Sequence, residues 1–392
     1  MLTRISSSSF QPLKAPGTAS HGEPLLKPEG PYAILGWSEG DFASGIAPSR
    51  STMFGARGAA LLSDGSLWVS DTGHHRILGW RRTPTTDNAP ADIVIGQTDF
   101  AKEGRNGKAD PTAASVNVPT GICGYRGGLA VADAWNHRVL IWKRVPTASN
   151  QPADIVLGQP DAASVHANLG KDSPTAQTMN WPYGVAEIEG RLFVADTGNR
   201  RVLIWDDPHE TGQPANHVLG QTTFDNRNEN AGADIGSIGM RWPHGIAIWN
   251  GKLAVSDAGN NRIMLWSSMP QSNGTPCDTV IGQSDLSSCD HNGASYYPSD
   301  ATMNMPYAIG VHGQRLIVAD TANSRMTAFA DSGTGAAADR LSCQPDFASK
   351  GDNRWGFPER DTVCWPYGLS ILGDTIAIAD SGNNRILLWE LA

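Results

Sequence analysis

VADTGNRRVLIW, residues 194–205, recurs in recognisable form six times along the chain. Its aspartates are Asp71, Asp133, Asp196, Asp257, Asp320 and Asp380, spaced 62, 63, 61, 63 and 60 residues apart. Five residues after each stands an arginine: Arg76, Arg138, Arg201, Arg262, Arg325 and Arg385. Nine residues after each stands an aromatic: Trp80, Trp142, Trp205, Trp266, Phe329 and Trp389. A fixed period of this length signals a repeat architecture.

Working outward from the third copy, four short strands emerge. YGVAEI (183–188) follows Trp181-Pro182, and GRLFVAD (190–196) follows a tight turn. RVLIW (201–205) comes after the TGNR turn, and ANHVLGQ (215–221) completes the unit. Runs this short, rich in Val, Ile and Trp and punctuated by Gly, Pro and Asn, read as antiparallel strands. One four-stranded sheet cannot bury both of its faces. Six arranged radially cover one another, so the predicted fold is an all-β, six-bladed β-propeller.

The sixth copy runs to Leu391-Ala392 with only three strands. PYAILGW (31–37), followed by Asp41-Phe42, matches ADIVIGQTDF (91–100), the fourth strand of the first copy. The N-terminal segment is therefore expected to complete the last blade. Residues 1–30 are expected to form a flexible leader and residues 31–392 a single domain.

Composition sets the outer limits. The 43 glycines and 25 prolines, with only 18% charged residues, suit many strands joined by turns. A formal net charge of −9 argues against a nucleic-acid or anionic-membrane footprint, which needs clustered Lys and Arg. The first 30 residues contain no apolar core of a signal peptide, and no run of eighteen apolar residues occurs. Five cysteines without a CxxC pair favour a reducing compartment, so a soluble, cytoplasmic protein is expected.

The P-x-G-I/V lead-in and the V-A/S-D-x-G-N-x-R-V/I core resemble the NHL family of β-propellers. Both stand in Pro182-Tyr183-Gly184-Val185 and in Val255-Ser256-Asp257-Ala258-Gly259-Asn260-Asn261-Arg262-Ile263. The VLGQ strand followed by Asp/Phe is similar to the form common in bacterial members, and the resemblance covers roughly residues 31–392. It implies the fold. For function it implies a range from binding scaffolds and RNA-binding domains to a few enzymes.

A residue present once per blade cannot form one active site, so the repeated Asp and Arg are read as turn-fixing pairs. Function is sought where copies differ. The residue after the lead-in proline is expected to form a ring at the channel mouth: Arg57, Thr120, Tyr183, His244, Tyr307 and Tyr367, the first copy departing with Ala56 in place of the proline and the fifth with Ala308 in place of the glycine. Of these, Arg57, Tyr183, His244, Tyr307 and Tyr367 are candidate catalytic groups, with Arg57 binding an anion and His244 or a tyrosine moving a proton. The turns offer His74, His75, Trp135, Asn136, His137, Asn199, Asn260, Asn323 and Asn383 on the same face. Trp135 stands where other copies have Gly or Ala.

The peptide-amidating lyase domain resembles this chain in its blades and holds zinc with channel-mouth histidines from several blades. Here His244 alone occupies such a position, and the spacing of His74, His75 and His137 matches no standard motif, so no cofactor is expected and a channel-mouth metal is the lesser alternative. No GxSxG, HExxH, P-loop or dinucleotide-binding motif occurs. Connections of about twenty residues between blades are long enough to be functional. In them Phe100, Phe224 and Phe347 are expected to tuck against their blades. Tyr296, Tyr297, Trp355 and Phe357 fall outside the repeat and are expected at a binding surface with Thr120, His74, His75, Trp135 and His137.

The first reading is a non-catalytic protein-interaction scaffold or accessory factor with a protein partner, a small-molecule ligand remaining open. The second is a lyase- or hydrolase-like enzyme at the channel mouth. RNA binding is disfavoured by the acidic balance.

Overall fold

A computed structural model describes residues 20–36 and 47–392. Among these, six sheets stand around an axis, each with four antiparallel blade strands. In blade three these are Pro182–Ile188, Arg191–Asp196, Arg201–Trp205 and His217–Leu219. The innermost strands of the six blades are Gly58–Leu61, Pro119–Tyr125, Pro182–Ile188, Pro243–Trp249, Pro306–His312 and Pro366–Leu372.

The third strand of each blade is apolar on both sides because both sides are covered. RVLIW at Arg201–Trp205 is buried at every position. Six apolar clusters fill the six interfaces. One joins Leu203 and Trp205 of blade three to Val139 and Ile141 of blade two, and another joins Leu78 and Val69 of blade one to Ile386 and Leu388 of blade six. Each indole N–H at the repeat tryptophan is satisfied in passing. Trp205 Nε1 donates to the Gln213 carbonyl at 2.9 Å, and Trp142 Nε1 to Gln151 at 3.0 Å.

The ring closes as expected from the sequence. Ala33–Leu35 pairs antiparallel with Arg385–Glu390, in the register Ala33 to Leu388, Ile34 to Leu387 and Leu35 to Ile386. All three side chains are fully buried. Trp37, Asp41 and Phe42, assigned to the same segment, lie outside the described residues. Residues 20–30, the last third of the expected leader, are built into the ring. Glu23–Pro24 adds a fifth, parallel strand beside Arg340–Ser342 of blade five, and Leu25 and Leu26 are 3% and 2% exposed. The N-terminal segment thus bridges blades five and six.

The repeated aspartate and arginine do more than fix one turn. In blade three, Asp196 Oδ1 accepts the Asn180 N–H at 2.7 Å. Its Oδ2 accepts Asn199 Nδ2 and Arg201 Nε, both at 2.8 Å. Arg201 then donates to the carbonyls of Thr175, Thr178 and Phe224. One fully buried ion pair therefore ties the turn, the incoming inter-blade loop and the outgoing one. Burial pushes the Asp196 carboxyl up from its ordinary range, and Arg201 with its neighbouring donors opposes that shift.

Candidate functional site

In every blade the first strand begins where the second ends: Pro182 is paired with Asp196 and Pro243 with Asp257. The lead-ins, the turns between strands two and three, and the inter-blade loops therefore share one face of the ring. The turns between strands one and two lie on the opposite face.

The structure brings the expected ring residues together, and they close the channel. The His244 ring lies 4.2 Å from those of both Tyr183 and Tyr307, centroid to centroid. Tyr307 stacks on Tyr367 at 4.7 Å, and the Arg57 guanidinium carbon sits 4.8 Å from the centre of the Tyr367 ring. His244, Tyr183 and Tyr307 are 5%, 6% and 9% exposed, so the stack forms a plug. Thr120 is not at a surface. It is fully buried, and its hydroxyl donates to the Tyr183 carbonyl at 2.9 Å.

The plug's chemistry follows from its dryness. Burial pulls the His244 imidazole down to about 3, so it is neutral across the physiological range. With the ring neutral, the contact of its Nδ1 with the Trp242 carbonyl at 2.9 Å places the proton on Nδ1. Burial also pushes the phenols of Tyr183, Tyr307 and Tyr367 up, against the pull of Arg57. Among the described residues no three His, Cys, Asp or Glu side chains group to hold a metal ion.

The turn histidines separate into two kinds. His74 stands three residues after Asp71, the place of Asn136, Asn199, Asn260, Asn323 and Asn383. It is fully buried, with Nδ1 2.8 Å from Asp71 Oδ2, and belongs to the turn rather than to a surface. His75 and His137, one position later, take left-handed backbone with φ of 54°. Their Nδ1 atoms accept the N–H of Val118 and Trp181, in the lead-in of the next blade, at 3.1 and 2.9 Å. Asn261 and Asn384 make the same bridge to Met305 and Gly55. Burial lowers both imidazoles, His137 to about 4, which preserves the unprotonated acceptor.

An outer collar joins Trp135, Tyr296, Trp355 and Phe357, expected at a surface, to side chains that the sequence reading missed. Trp181, Trp242 and Trp365, each just before a lead-in proline, are 43%, 38% and 36% exposed. Phe54, Trp135, Leu169, Tyr296, Trp355 and Phe357 are also exposed and lie in lead-ins, a turn and inter-blade loops. Nine of the eleven exposed large apolar side chains among the described residues thus share this face, while Tyr32 and Leu372 lie at the other end of their blades. Cations lie over several of the rings: Arg105 over Trp135 at 5.1 Å, Arg241 over Trp242 at 5.3 Å and Lys350 over Tyr296 at 3.7 Å. Tyr297 packs edge-on against Tyr296 at 5.0 Å. A lead-in tryptophan repeated in three copies was the available signal.

Comparison with known proteins agrees with this architecture. Residues 55–80 and 240–263 match the NHL repeat model. These two matches place NHL repeats within the six-bladed ring. No curated protein matches it in sequence. Among solved structures it is similar to a Bacteroides thetaiotaomicron protein of unknown function, at 14% identity and TM-score 0.50, over 95% of this chain and 76% of that one. It is also similar to virginiamycin B lyase from Staphylococcus aureus, at 12% identity and TM-score 0.46, over 88% and 98%. A PQQ-bound aldose sugar dehydrogenase from Streptomyces coelicolor aligns at 15% identity and TM-score 0.48, over 88% and 97%. Likeness at this level concerns the fold alone.

Proposed function

We propose that this chain is a non-catalytic interaction module that docks a protein partner on the face bearing the lead-ins, the strand two–three turns and the inter-blade loops. The observation that carries the reading is the concentration of nine exposed large apolar side chains there. Trp, Tyr and Arg dominate binding energy in protein interfaces, and apolar groups gathered on one face mark interaction sites. The rigid ring beneath keeps the ordering cost of docking low. The enzyme reading has weaker support, because the imidazole and phenols it needs are stacked into a buried plug. The expected cytoplasmic location stays part of this proposal; the five cysteines, all free thiols, are compatible with it, and no helix among the described residues is long and apolar enough to cross a membrane.

The test compares tagged wild-type chain with a Trp181→Ser/Trp242→Ser/Trp365→Ser variant, both expressed in the native host and purified under gentle conditions. The reading expects a stoichiometric protein partner with the wild type, lost in the folded variant. A partner retained by that variant but lost on Tyr32→Ser/Leu372→Ser substitution would place docking on the opposite face.

A further inference from the structure

The six innermost strands enclose an axial cavity of about 560 Å³. Its walls are small or aliphatic, from residues such as Gly184, Ala186, Gly245, Ala247 and Ile371. These wall residues are partly exposed, whereas His244, Tyr183 and Tyr307 of the aromatic plug at one end are buried and Tyr367 beside them is half-buried. Glu187 and Glu189, both exposed, line the other end beside the strand one–two turn. The cavity is therefore a blind well that opens on the face opposite the collar.

Arg57 lines the closed end of this well. The six repeat arginines each have an aspartate, but the neighbours that govern the Arg57 charge are the phenols of Tyr183, Tyr367 and Tyr307. A half-buried guanidinium whose neighbours among the described residues are phenols and a neutral imidazole, with no carboxylate among them, retains donors for a charged acceptor. Next to it the buried Tyr183 hydroxyl lies against the Arg57 guanidinium without a well-aligned hydrogen bond. Burying a polar group in that condition is costly, and a ligand oxygen would relieve it.

We propose that the well binds a small molecule headed by an oxyanion, carboxylate or phosphate. Arg57 is its counter-ion, the Tyr183 hydroxyl a donor, and the aliphatic walls cover its body. The four residues of strand from Arg57 to the far wall span about 13 Å, enough for a chain of several methylenes. Glu187 and Glu189 at the open end repel a second anionic group and favour a cationic one. A zwitterion with its ends separated by an alkyl chain therefore fits better than a dicarboxylate.

The experiment is calorimetric titration of the full chain with butyrate, 6-aminohexanoate, adipate and butyl phosphate, with hexylamine as the cationic control. The proposal expects one saturable site for at least one of the mono-anionic probes. It expects 6-aminohexanoate to bind more tightly than adipate and hexylamine not to bind. Comparing butyrate with butyl phosphate identifies the head group. Arg57→Met should weaken binding about tenfold or more. Glu189→Gln, at an exposed position, should narrow the gap between 6-aminohexanoate and adipate even if Arg57→Met fails to fold. Trp365→Ser, on the other face, should leave binding unchanged, so this result is independent of partner docking. No saturable binding by any anion at about 10 mM, or equal binding by folded Arg57→Met, overturns the proposal.

Discussion

Replacing Ile34 and Leu35 with alanine loosens the closing strand from both of its neighbours at once. Ile34 packs in the cluster between blades five and six, with Ile317, Met326 and Ile378. Leu35 packs in the cluster between blades six and one, with Leu67, Val69 and Leu78. Each is fully buried, and truncating such a residue costs about 2–5 kcal/mol. The two face different clusters but share one three-residue strand, so full additivity sets the upper bound of about 4–10 kcal/mol. Unfolding entropy of about 2.1 cal/mol/K per residue gives about 0.8 kcal/mol/K for 392 residues. The midpoint of thermal unfolding, read by far-UV circular dichroism or calorimetry, should fall by up to about 12 °C. Phe357→Ala, at a residue 83% exposed, should move it by less than about 1 °C. A double variant whose midpoint matches the wild type would refute ring closure by this strand, since an uncoupled strand contributes nothing to the other blades.

Other expectations follow from buried charges and histidines. Arg201→Met leaves the Asp196 carboxylate buried without its cation and should cost about 3–5 kcal/mol in urea unfolding, with part recovered on adding Asp196→Asn. His244 is held neutral in the fold, with its pKa lowered to about 3, so the unfolded chain binds the extra proton between about pH 6.5 and 3. Its contribution is complete above pH 6.5 and is lost as pH falls, at up to about 1.4 kcal/mol per pH unit. His244→Gln should flatten that part of the stability profile, and an unchanged slope would refute a buried neutral imidazole. Burial pushes the Cys343 thiol up to about 12, so iodoacetamide at pH 8 should label it only after denaturation, as peptide mass spectrometry can show.

The sixty-residue period made the architecture legible, because strand pairing, blade number and closure are all written in repeated residues. The same register located the plug, since position after the lead-in proline, or after Ala56 in the first copy, places Arg57, Tyr183, His244, Tyr307 and Tyr367 at the axis. What position could not show is whether those side chains leave the axis open. That depends on the rings meeting at 4.2–4.7 Å, which follows from three-dimensional packing. His74 was misplaced for a different reason: it is chemically unlike the asparagines whose structural position it holds. The lead-in part of the collar was overlooked because Trp181, Trp242 and Trp365 look like part of a fold motif. A repeated residue can serve the fold and still present its side chain to solvent.

The central claim, that partners dock on the collar face, is tested most directly by placing the photo-cross-linker p-benzoylphenylalanine at Trp242, Trp365, Tyr32 or Leu372 in the native host. Irradiation should give a discrete protein adduct from positions 242 and 365 and none from 32 and 372. Adducts only from 32 and 372, or none from any position, would contradict the claim.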